Sequence, residues 1–267
     1  MLRTINSLLG HRIHATDGEL GKLVEFFFDD REWNIRYMVV ETGNWLSGRK
    51  VLISQAALKT PDWPAKTLPV ALTREQVRTS PDIDTRKTVS RLHEVELHKH
   101  YTWPVYWGGE MFAGGKIAGV PFPTVREEIE KAEEEAPAQR AKEDPHLRGT
   151  DEVAGYRIHA ADGPIGHIAD YLVDDEKWAI RFLVVDVGDW LPGRKVLVSP
   201  RWIKNVNWGT SEVFTFLPQE AVRRSPGFDP AMLGSVEYES ALVRHYGRFM
   251  AEEGSEPEAV SSGGRKS

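Results

Sequence analysis

The sequence contains no cysteine. This absence excludes disulfide bonds, thiolate nucleophiles, iron–sulfur clusters and cysteine-based zinc sites. The chain also lacks any run of about 20 consecutive apolar residues, so we expect no transmembrane helix. Residues 1–10 are too short and too often interrupted by polar groups to form a secretory signal peptide. Together these absences favour a cytoplasmic location.

Basic residues are outnumbered by acidic ones. The chain has 34 Lys and Arg against 40 Asp and Glu, a formal net charge of −6 and a pI near 5.9. A protein that neutralises many phosphates needs clustered cations, so we expect no nucleic-acid partner. Hydrophobic residues make up 40% of the 267 residues, which is enough for about two globular domains with cores.

What the sequence does contain is an internal repeat. HRIHATDGELG at 11–21 matches YRIHAADGPIG at 156–166, and residues 29–54 match residues 174–199, always at an offset of 145. About 24 of the 45 positions in 10–54 are identical to their partners. A period this long indicates two duplicated domains and not a solenoid of short repeats.

The repeat defines the expected domain organisation. Trp63 matches Trp208, and Tyr101 matches Tyr246, so the register persists far beyond the nearly identical segments. We predict a first repeat with a helical extension at 2–104, a linker with a short helix (125–135) at 105–146, a second repeat with a helical extension at 147–250, and a disordered tail at 251–267.

Each copy begins with strand patterns. The Asp17-Gly18 dipeptide is typical of a hairpin turn, because glycine accepts positive φ. Alternation over 24–28 predicts a strand with one buried face, and the apolar run 35–40 predicts a central strand. Further strands are predicted at 51–53 and 68–72, a capped helix at Thr73 with Gln76 and a second helix at 90–101, with counterparts at 196–198, 213–217, Pro218 and 235–248. This pattern predicts two small antiparallel β-barrels, each followed by a short helical segment, in a mainly β protein of the α+β class.

These motifs resemble the PRC-barrel family. The resemblance is carried by GHRIHATDGELGKLVEFFFDD with IRYMVVE in the first copy and by GYRIHAADGPIGHIADYLVDD with IRFLVVD in the second. The family is named after the cytoplasmic domain of the photosynthetic reaction-centre H subunit, and it also supplies the C-terminal domain of a ribosome-maturation factor. The resemblance implies a bacterial protein with two tandem six-stranded barrels that dock on partners and share no catalytic site.

The segment between two predicted strands is the leading candidate for partner binding. GNWLSGRK at 43–50 and GDWLPGRK at 188–195 place an aromatic residue beside basic ones, which is the composition of an interface hot spot. The alternative is that the tryptophan packs over the barrel mouth and the glycines serve the turn. The partner-binding candidates are Trp45, Leu46, Arg49, Lys50, Trp190, Leu191, Arg194 and Lys195.

An aromatic run ends the first copy. It consists of Tyr101, Trp103, Tyr106 and Trp107, and the second copy lacks most of these residues. We interpret the run as packing between the two domains. An oligomer or partner surface is the alternative.

Other polar residues fit structural roles. The adjacent carboxylates Asp29-Asp30 fall short of the six or more oxygens that calcium takes, so turn chemistry is favoured. Arg36 begins an apolar strand and needs an internal partner, with Asp29 among the candidates. The histidines of RLHEVELHKHY are spaced by five and two residues, which does not place them on one helical face. We expect neither a metal nor a cofactor.

Catalytic templates are missing. The sequence has no G-x-S-x-G elbow, P-loop, G-x-G-x-x-G fingerprint or H-E-x-x-H motif, so we expect no enzyme. The leading hypothesis is a non-catalytic adaptor or scaffold whose tandem barrels bind a protein partner, with self-association also open. The alternative is a small-molecule or ion sensor with a site at the barrel–barrel junction near Trp103 and Trp107. The family's links to reaction-centre electron transport and ribosome maturation gain no support, because the sequence shows neither a membrane anchor nor an RNA-processing module.

Overall fold

The computed structural model has a mixed α+β fold with two sheets. It describes residues 1–81, 89, 91–106, 146–188 and 193–253. The helix predicted at 125–135 and most of the predicted tail lie outside these residues. Within them, no helix is long and apolar enough to cross a membrane.

The two copies contribute similar series of elements. The first series is β1 (Leu2–Thr4), α1 (Ile5–Leu8), β2 (Arg12–Ala15), β3 (Gly18–Asp29), β4 (Ile35–Thr42), β5 (Lys50–Ser54), β6 (Thr67–Pro69), α2 (Arg74–Arg78) and α3 (Arg91–Tyr101). The second series is β7 (Leu147–Gly149), α4 (Thr150–Val153), β8 (Arg157–Ala160), β9 (Gly163–Asp174), β10 (Ala179–Asp186), β11 (Lys195–Val198), β12 (Ile203–Asn207), β13 (Glu212–Thr215), α5 (Gln219–Arg223) and α6 (Val236–Glu253).

The two sheets share the pairing order of five strands, and the second-copy sheet has one further end strand, β12. One sheet runs β5-β4-β3-β2-β6, with β7 also paired to β3, and the other runs β11-β10-β9-β8-β13-β12, with β1 also paired to β9. Consecutive strands pair antiparallel, whereas β2 with β6 and β8 with β13 pair parallel. The predicted α+β class is confirmed. Strand pairing among the described residues does not by itself close either sheet into a barrel.

The chain divides into two compact units that do not follow the sequence repeat throughout. The first-copy unit consists of Thr4–Val153 with Glu176–Ile180, and the second-copy unit consists of Met1–Arg3, Ala154–Asp175 and Arg181–Ser267. The N-terminal strand of each copy is therefore largely built into the unit that the other copy forms. The sequence repeat would assign β1 to the first-copy unit and β7 to the second-copy unit, whereas the structure assigns most of each strand to the other unit.

Equivalent ion pairs hold the two N-terminal strands in place. Asp175 accepts hydrogen bonds from the ammonium group of Met1 at 2.6 Å and from Arg3 Nε at 2.7 Å, which fixes β1 beside β9. On β7, Arg148 Nε lies 3.7 Å from Asp30 Oδ2. Because these two arginines, like these two aspartates, are counterparts at the repeat offset, the same pair of charges fixes both strands.

A buried carboxyl group marks the contact of β7 with β3. Glu25 is 8% exposed, and a Cβ on Gly149 would lie 2.2 Å from its Oε1, so the absence of a side chain makes room for the carboxyl group. The same oxygen accepts a hydrogen bond from Asp151 N at 3.4 Å. At the repeat offset, the second copy carries the shorter Asp170, and Thr4 corresponds to the glycine. The longer acid thus occurs with glycine on the N-terminal strand, and the shorter acid occurs with the larger threonine.

Local sequence signals explain much of the fold. The predicted capping box is confirmed, with Thr73 Oγ1 accepting a hydrogen bond from Gln76 N. The turn aspartates also cap the helices that follow: Asp17 Oδ1 accepts from Arg74 N at 2.8 Å, and Asp162 Oδ1 from the first residue of α5 at 2.7 Å. The predicted central strand β4 is buried on both faces, as shown by zero exposure of Ile35, Tyr37, Met38, Val39 and Val40.

Three sets of elements differ from the sequence predictions. The strands predicted at 68–72 and 213–217 are shorter and begin one residue earlier, as β6 and β13. The strand β6 ends at Pro69, which has no N–H to donate to a ladder. The short strands β1, β7 and β12 were not predicted, since three to five residues are too few to show a period. The helix predicted at 235–248 continues to Glu253.

The second glycine of the D-G-x-x-G motif is required by a close approach of neighbouring strands. A Cβ on Gly21 would lie 2.0 Å from the carbonyl oxygen of Glu41, and a Cβ on Gly166 would lie 1.9 Å from that of Asp186. Both glycines have a φ of 156°. Any other residue would therefore push two paired strands apart.

We expect Gly21→Ala to lower the free energy of unfolding by about 3 kcal/mol, because the new methyl group overlaps a backbone oxygen at a strained φ. Urea unfolding followed by circular dichroism measures the loss. Gly43→Ala is the matched control, since a Cβ there meets nothing within 4 Å, and it should change stability by less than about 1 kcal/mol. Equal stability of the two variants would contradict the close approach.

Candidate functional site

The loop from Gly43 to Lys50, which joins β4 to β5, is anchored by its own tryptophan. Trp45 is half-buried, and its Nε1 donates a 2.6 Å hydrogen bond to the carbonyl oxygen of Leu20. The guanidinium carbon of Arg74 lies 4.6 Å from the centre of the indole ring. These contacts hold the loop in one conformation.

The arginine of the loop is bound within its own unit. Arg49 Nη2 donates to the carbonyl oxygens of Ser80 at 2.9 Å and Pro81 at 2.7 Å, just beyond α2. Arg194 repeats the contact by donating to the carbonyl oxygen of Ser225 after α5. A cation near the last carbonyl groups of a helix is favourable. Both arginines therefore fasten a helical segment onto the sheet.

The other loop candidates differ in exposure. Leu46 is half-exposed, whereas Lys50 and Lys195 are exposed. Trp190 and Leu191 lie outside the described residues. Among the predicted side chains of the first-copy loop, a partner can therefore reach the leucine, the lysine and the open edge of the tryptophan.

The aromatic run after α3 packs inside the first-copy unit. Tyr101 and Trp103 are each 6% exposed, and their rings stack with centroids 4.2 Å apart. Tyr106 is half-buried, with the guanidinium carbon of Arg36 4.0 Å from its ring centre. Trp107 lies outside the described residues. A role of this run in packing between domains stays a prediction.

Beneath the run lies a group of polar side chains that we call the Glu94 cluster: Tyr37, Glu94, His98, Tyr106 and His146. Glu94 is 0% exposed, and its Oε1 accepts hydrogen bonds from the hydroxyl groups of Tyr37, at 3.1 Å, and Tyr106. Its Oε2 lies 2.6 Å from His146 Nε2. The hydroxyl group of Tyr37 also lies 2.8 Å from His98 Nε2.

The Glu94 cluster is a structural network. A buried carboxylate needs charged or hydrogen-bonding partners, and Glu94 has three. Glu94 and Tyr37 are both fully buried, so these hydrogen bonds lie within the core of the first-copy unit. Because His146 directly precedes β7 and Tyr106 follows α3, the network ties both segments to the helix.

The second copy does not repeat this network. At the repeat offset, the tyrosine of β4 becomes Phe182 and the histidine of α3 becomes Val243, while the glutamate is kept as Glu239. The sequence could have indicated the cluster through these two replacements, because they remove hydrogen-bonding groups from the second copy while the glutamate is kept. The spacings of the histidines in α3 did not indicate a shared site, and nothing in the sequence around His146 predicted its contact with Glu94.

The ion pair predicted for Arg36 is confirmed. Arg36 Nε donates to Asp29 Oδ2 at 2.8 Å, and Asp29 Oδ1 accepts from the backbone N–H of Glu32 at 2.6 Å. Asp29 thus caps the turn after β3 and neutralises the arginine. The counterpart, Arg181, is exposed. Within the described part of the chain, no three His, Asp or Glu side chains are grouped so as to hold a metal ion.

One buried acid titrates near neutral pH. Burial, the largest cause, and the nearby charge of Asp151 together raise the pKa of Glu25 from 4.5 to about 7. The hydrogen bond from the backbone of Asp151 and the charge of Lys50 oppose this shift. The contact between β7 and β3 therefore favours a protonated carboxyl group.

Comparison with known proteins identifies no relative. No protein-family model matches the chain, and no curated protein matches it. Function therefore has to be inferred from the residues and geometry described above.

Glu25→Gln should flatten the pH dependence of stability. Since the folded-state pKa lies above the unfolded one, the contribution of Glu25 is fully present below pH 4.5 and is lost as the pH rises through about 7. The neutral variant should gain about 2 kcal/mol over the wild type between pH 5 and pH 8, measured by urea unfolding. Glu41→Gln, which changes an exposed acid on β4, should leave the profile unchanged. Parallel profiles for Glu25→Gln and the wild type would refute the burial effect.

Glu94→Ala should lower the free energy of unfolding by about 3–4 kcal/mol, because it leaves the imidazole of His146 and the hydroxyl group of Tyr37 buried without this acceptor and removes the bond from the half-buried Tyr106. Glu239→Ala is the matched control at the same position of α6. That side chain is exposed, so its loss should change stability by less than about 0.5 kcal/mol. Thermal unfolding of both variants measures the difference, and losses of equal size would exclude a special role for the cluster.

Proposed function

We propose that the protein is a non-catalytic binding protein whose two units are PRC-type β-barrels that dock on a protein partner. The observation that carries this proposal is the anchoring of the loop from Gly43 to Lys50. Its tryptophan and arginine are bound inside the unit, and its leucine and lysine face outward. A rigid sheet that presents a fixed surface loop is the usual arrangement of a binding module.

The strand order supports barrel closure. The second-copy sheet begins with β11 and ends with β12, and these strands are joined only by the 3-10 turn Pro200–Trp202. In the first-copy unit, residues 58–62 follow β5 after the turn Gln55–Ala57 and lie beside the β6 segment through the bridge Leu58↔Val70. A sheet whose end strands are joined by only four residues, here 199–202, curls until its edges approach. Residues 227 and 228 already pair with β11 through the bridge Val196↔Gly227, so the test falls on the other end strand. Slow hydrogen exchange of the amide groups on the outer edge of β12 would support closure, and rapid exchange would contradict it.

Anchoring of the loop favours affinity. Ordering a mobile loop at an interface costs binding free energy, and a loop that is already ordered avoids this cost. Trp45 and Arg49 supply the anchors, so Leu46 and Lys50 are presented at low entropic cost. An aromatic edge beside an aliphatic and a cationic side chain suits an apolar protein surface with an acidic rim.

The combined change Leu46→Asp with Lys50→Glu should reduce capture of a specific partner at least about 10-fold, because it reverses the polarity of the presented surface. The full chain serves as bait in a lysate of its source cells, and recovery is measured by quantitative mass spectrometry. Lys59→Glu, an exposed change outside the loop, should leave recovery unchanged. Capture that survives even Trp45→Ala with Trp190→Ala would eliminate these loops as the contact.

A further inference from the structure

The last helix of each copy begins at the same repeat position but continues differently. The helices α3 and α6 begin 145 residues apart. After α3 ends at Tyr101, Thr102 turns the chain with a φ of 59°, and Trp103 N bonds to the carbonyl oxygen of His98 at 3.0 Å. The helix α6 has no such turn and continues to Glu253.

Both helices are nevertheless seated in the same way. His100 of α3 hydrogen-bonds a carbonyl oxygen of α2 at 2.8 Å, and His245 of α6 hydrogen-bonds the corresponding carbonyl oxygen of α5 at 2.6 Å. The tyrosines that follow them, Tyr101 and Tyr246, are both buried. The two helices are therefore fixed to their units through the same repeat positions.

In the first-copy unit, residues 103–106 cover one face of α3. The ring of Tyr106 lies beneath the guanidinium group of Arg36 at 4.0 Å, and its hydroxyl group donates to Glu94. Under this cover, His98 is 2% exposed. A tyrosine is thus held by a cation above its ring and a carboxylate at its hydroxyl group.

In the second-copy unit, the same face is exposed. We call it the α6 face, and it consists of Arg181, Phe182, Val236, Glu239 and Val243. The two valines are 72% and 64% exposed, the arginine and the glutamate are exposed, and the phenylalanine is half-exposed. Val236 and Val243 lie two turns apart on the same side of α6, and these exposed apolar side chains, together with a cation and a carboxylate, give the α6 face the character of a binding surface.

Part of the missing cover is replaced in the second-copy unit. The ring of Trp202 packs against Tyr246 with centroids 4.2 Å apart, the same distance as between Trp103 and Tyr101 in the other unit, but with the ring planes inclined at 41°. In the second-copy unit, no described residue fills the position that Tyr106 fills in the first-copy unit. The second copy keeps the cation, Arg181, and the carboxylate, Glu239, that would bind a tyrosine, and both side chains are exposed.

We infer that the α6 face binds an extended, tyrosine-bearing aromatic segment of a protein partner. Arg181 stacks on the tyrosine ring as Arg36 does in the first-copy unit, and Glu239 accepts the hydroxyl hydrogen bond. Val243 and Phe182 contact the neighbouring apolar residue of the segment. The inference rests on the proposed binding function and names the chemistry of its partner, on a surface separate from the loop.

A direct test uses a labelled peptide with the sequence of residues 102–107, TWPVYW, added to the full chain. Fluorescence anisotropy should give a Kd on the order of 100 μM, as expected for a short flexible peptide. Val243→Asp and Arg181→Ala should each weaken binding at least about 10-fold. Lys204→Ala, an exposed change on β12, is the control that should leave the Kd unchanged.

The contribution of the tyrosine hydroxyl group is measured by changing the peptide and the protein separately and together. A peptide with phenylalanine in place of the tyrosine should bind the wild type about 5-fold more weakly, and this difference should vanish in Glu239→Ala. The combined change Phe182→Tyr with Val243→His, which restores the residues of the first copy, should tighten binding. A difference that persists in Glu239→Ala would overturn the assignment of the glutamate.

Other outcomes overturn the inference as a whole. These are no binding at millimolar peptide, or binding that Val243→Asp leaves unchanged. Self-association of the full chain that Val243→Asp abolishes, seen by sedimentation, would identify a second copy as the occupant instead. If the peptide fails but capture of a partner still depends on Leu46 and Lys50, only the α6 face is excluded and the proposed function stands.

Discussion

Three residue pairs join β7 to β3, and most of the distinctive features of the first-copy unit depend on them. The strand carries Gly149 into the position that leaves room for the carboxyl group of Glu25. Its flanking residues complete the contact, since His146 reaches Glu94 and Thr150 Oγ1 accepts a hydrogen bond from a β3 amide group 124 residues away. Because these partners are so distant in the chain, the unit is completed only after residues near 150 have joined it.

The two copies share a framework and differ at their surfaces. The framework interactions occur twice: the strand contacts at Gly21 and Gly166, and the arginine contacts from Arg49 and Arg194 to the segments after α2 and α5. The differences concentrate around α3 and α6. One helix is enclosed by an aromatic run and a polar network, whereas the other leaves valine side chains exposed. A duplicated domain can change its task in this way without altering its sheet, because side chains on one helix face are exchanged independently of the strand ladder.

Features that depend on neighbouring residues were predictable. The hairpin turn, the capping box at Thr73 and the buried strand β4 follow from turn chemistry, side-chain capping and apolar runs, all of which act within a few residues. The pairing of Arg36 with Asp29 was predictable because a buried charge needs a partner nearby. The Glu94 cluster was not predictable in the same way, since its members come from three separate segments and no single segment has a recognisable spacing.

By itself, the sequence determined the duplication, the strand-rich character of each copy and the positions of its turns. Only the tertiary structure decided which long strand each N-terminal strand joins, and which of the two equivalent helix faces is enclosed. The physical reason is that backbone hydrogen bonds are alike for both copies, so local preference cannot choose between them. The choice depends on side-chain fit between distant segments, as at Glu25 and Gly149, and on where the chain turns after each helix.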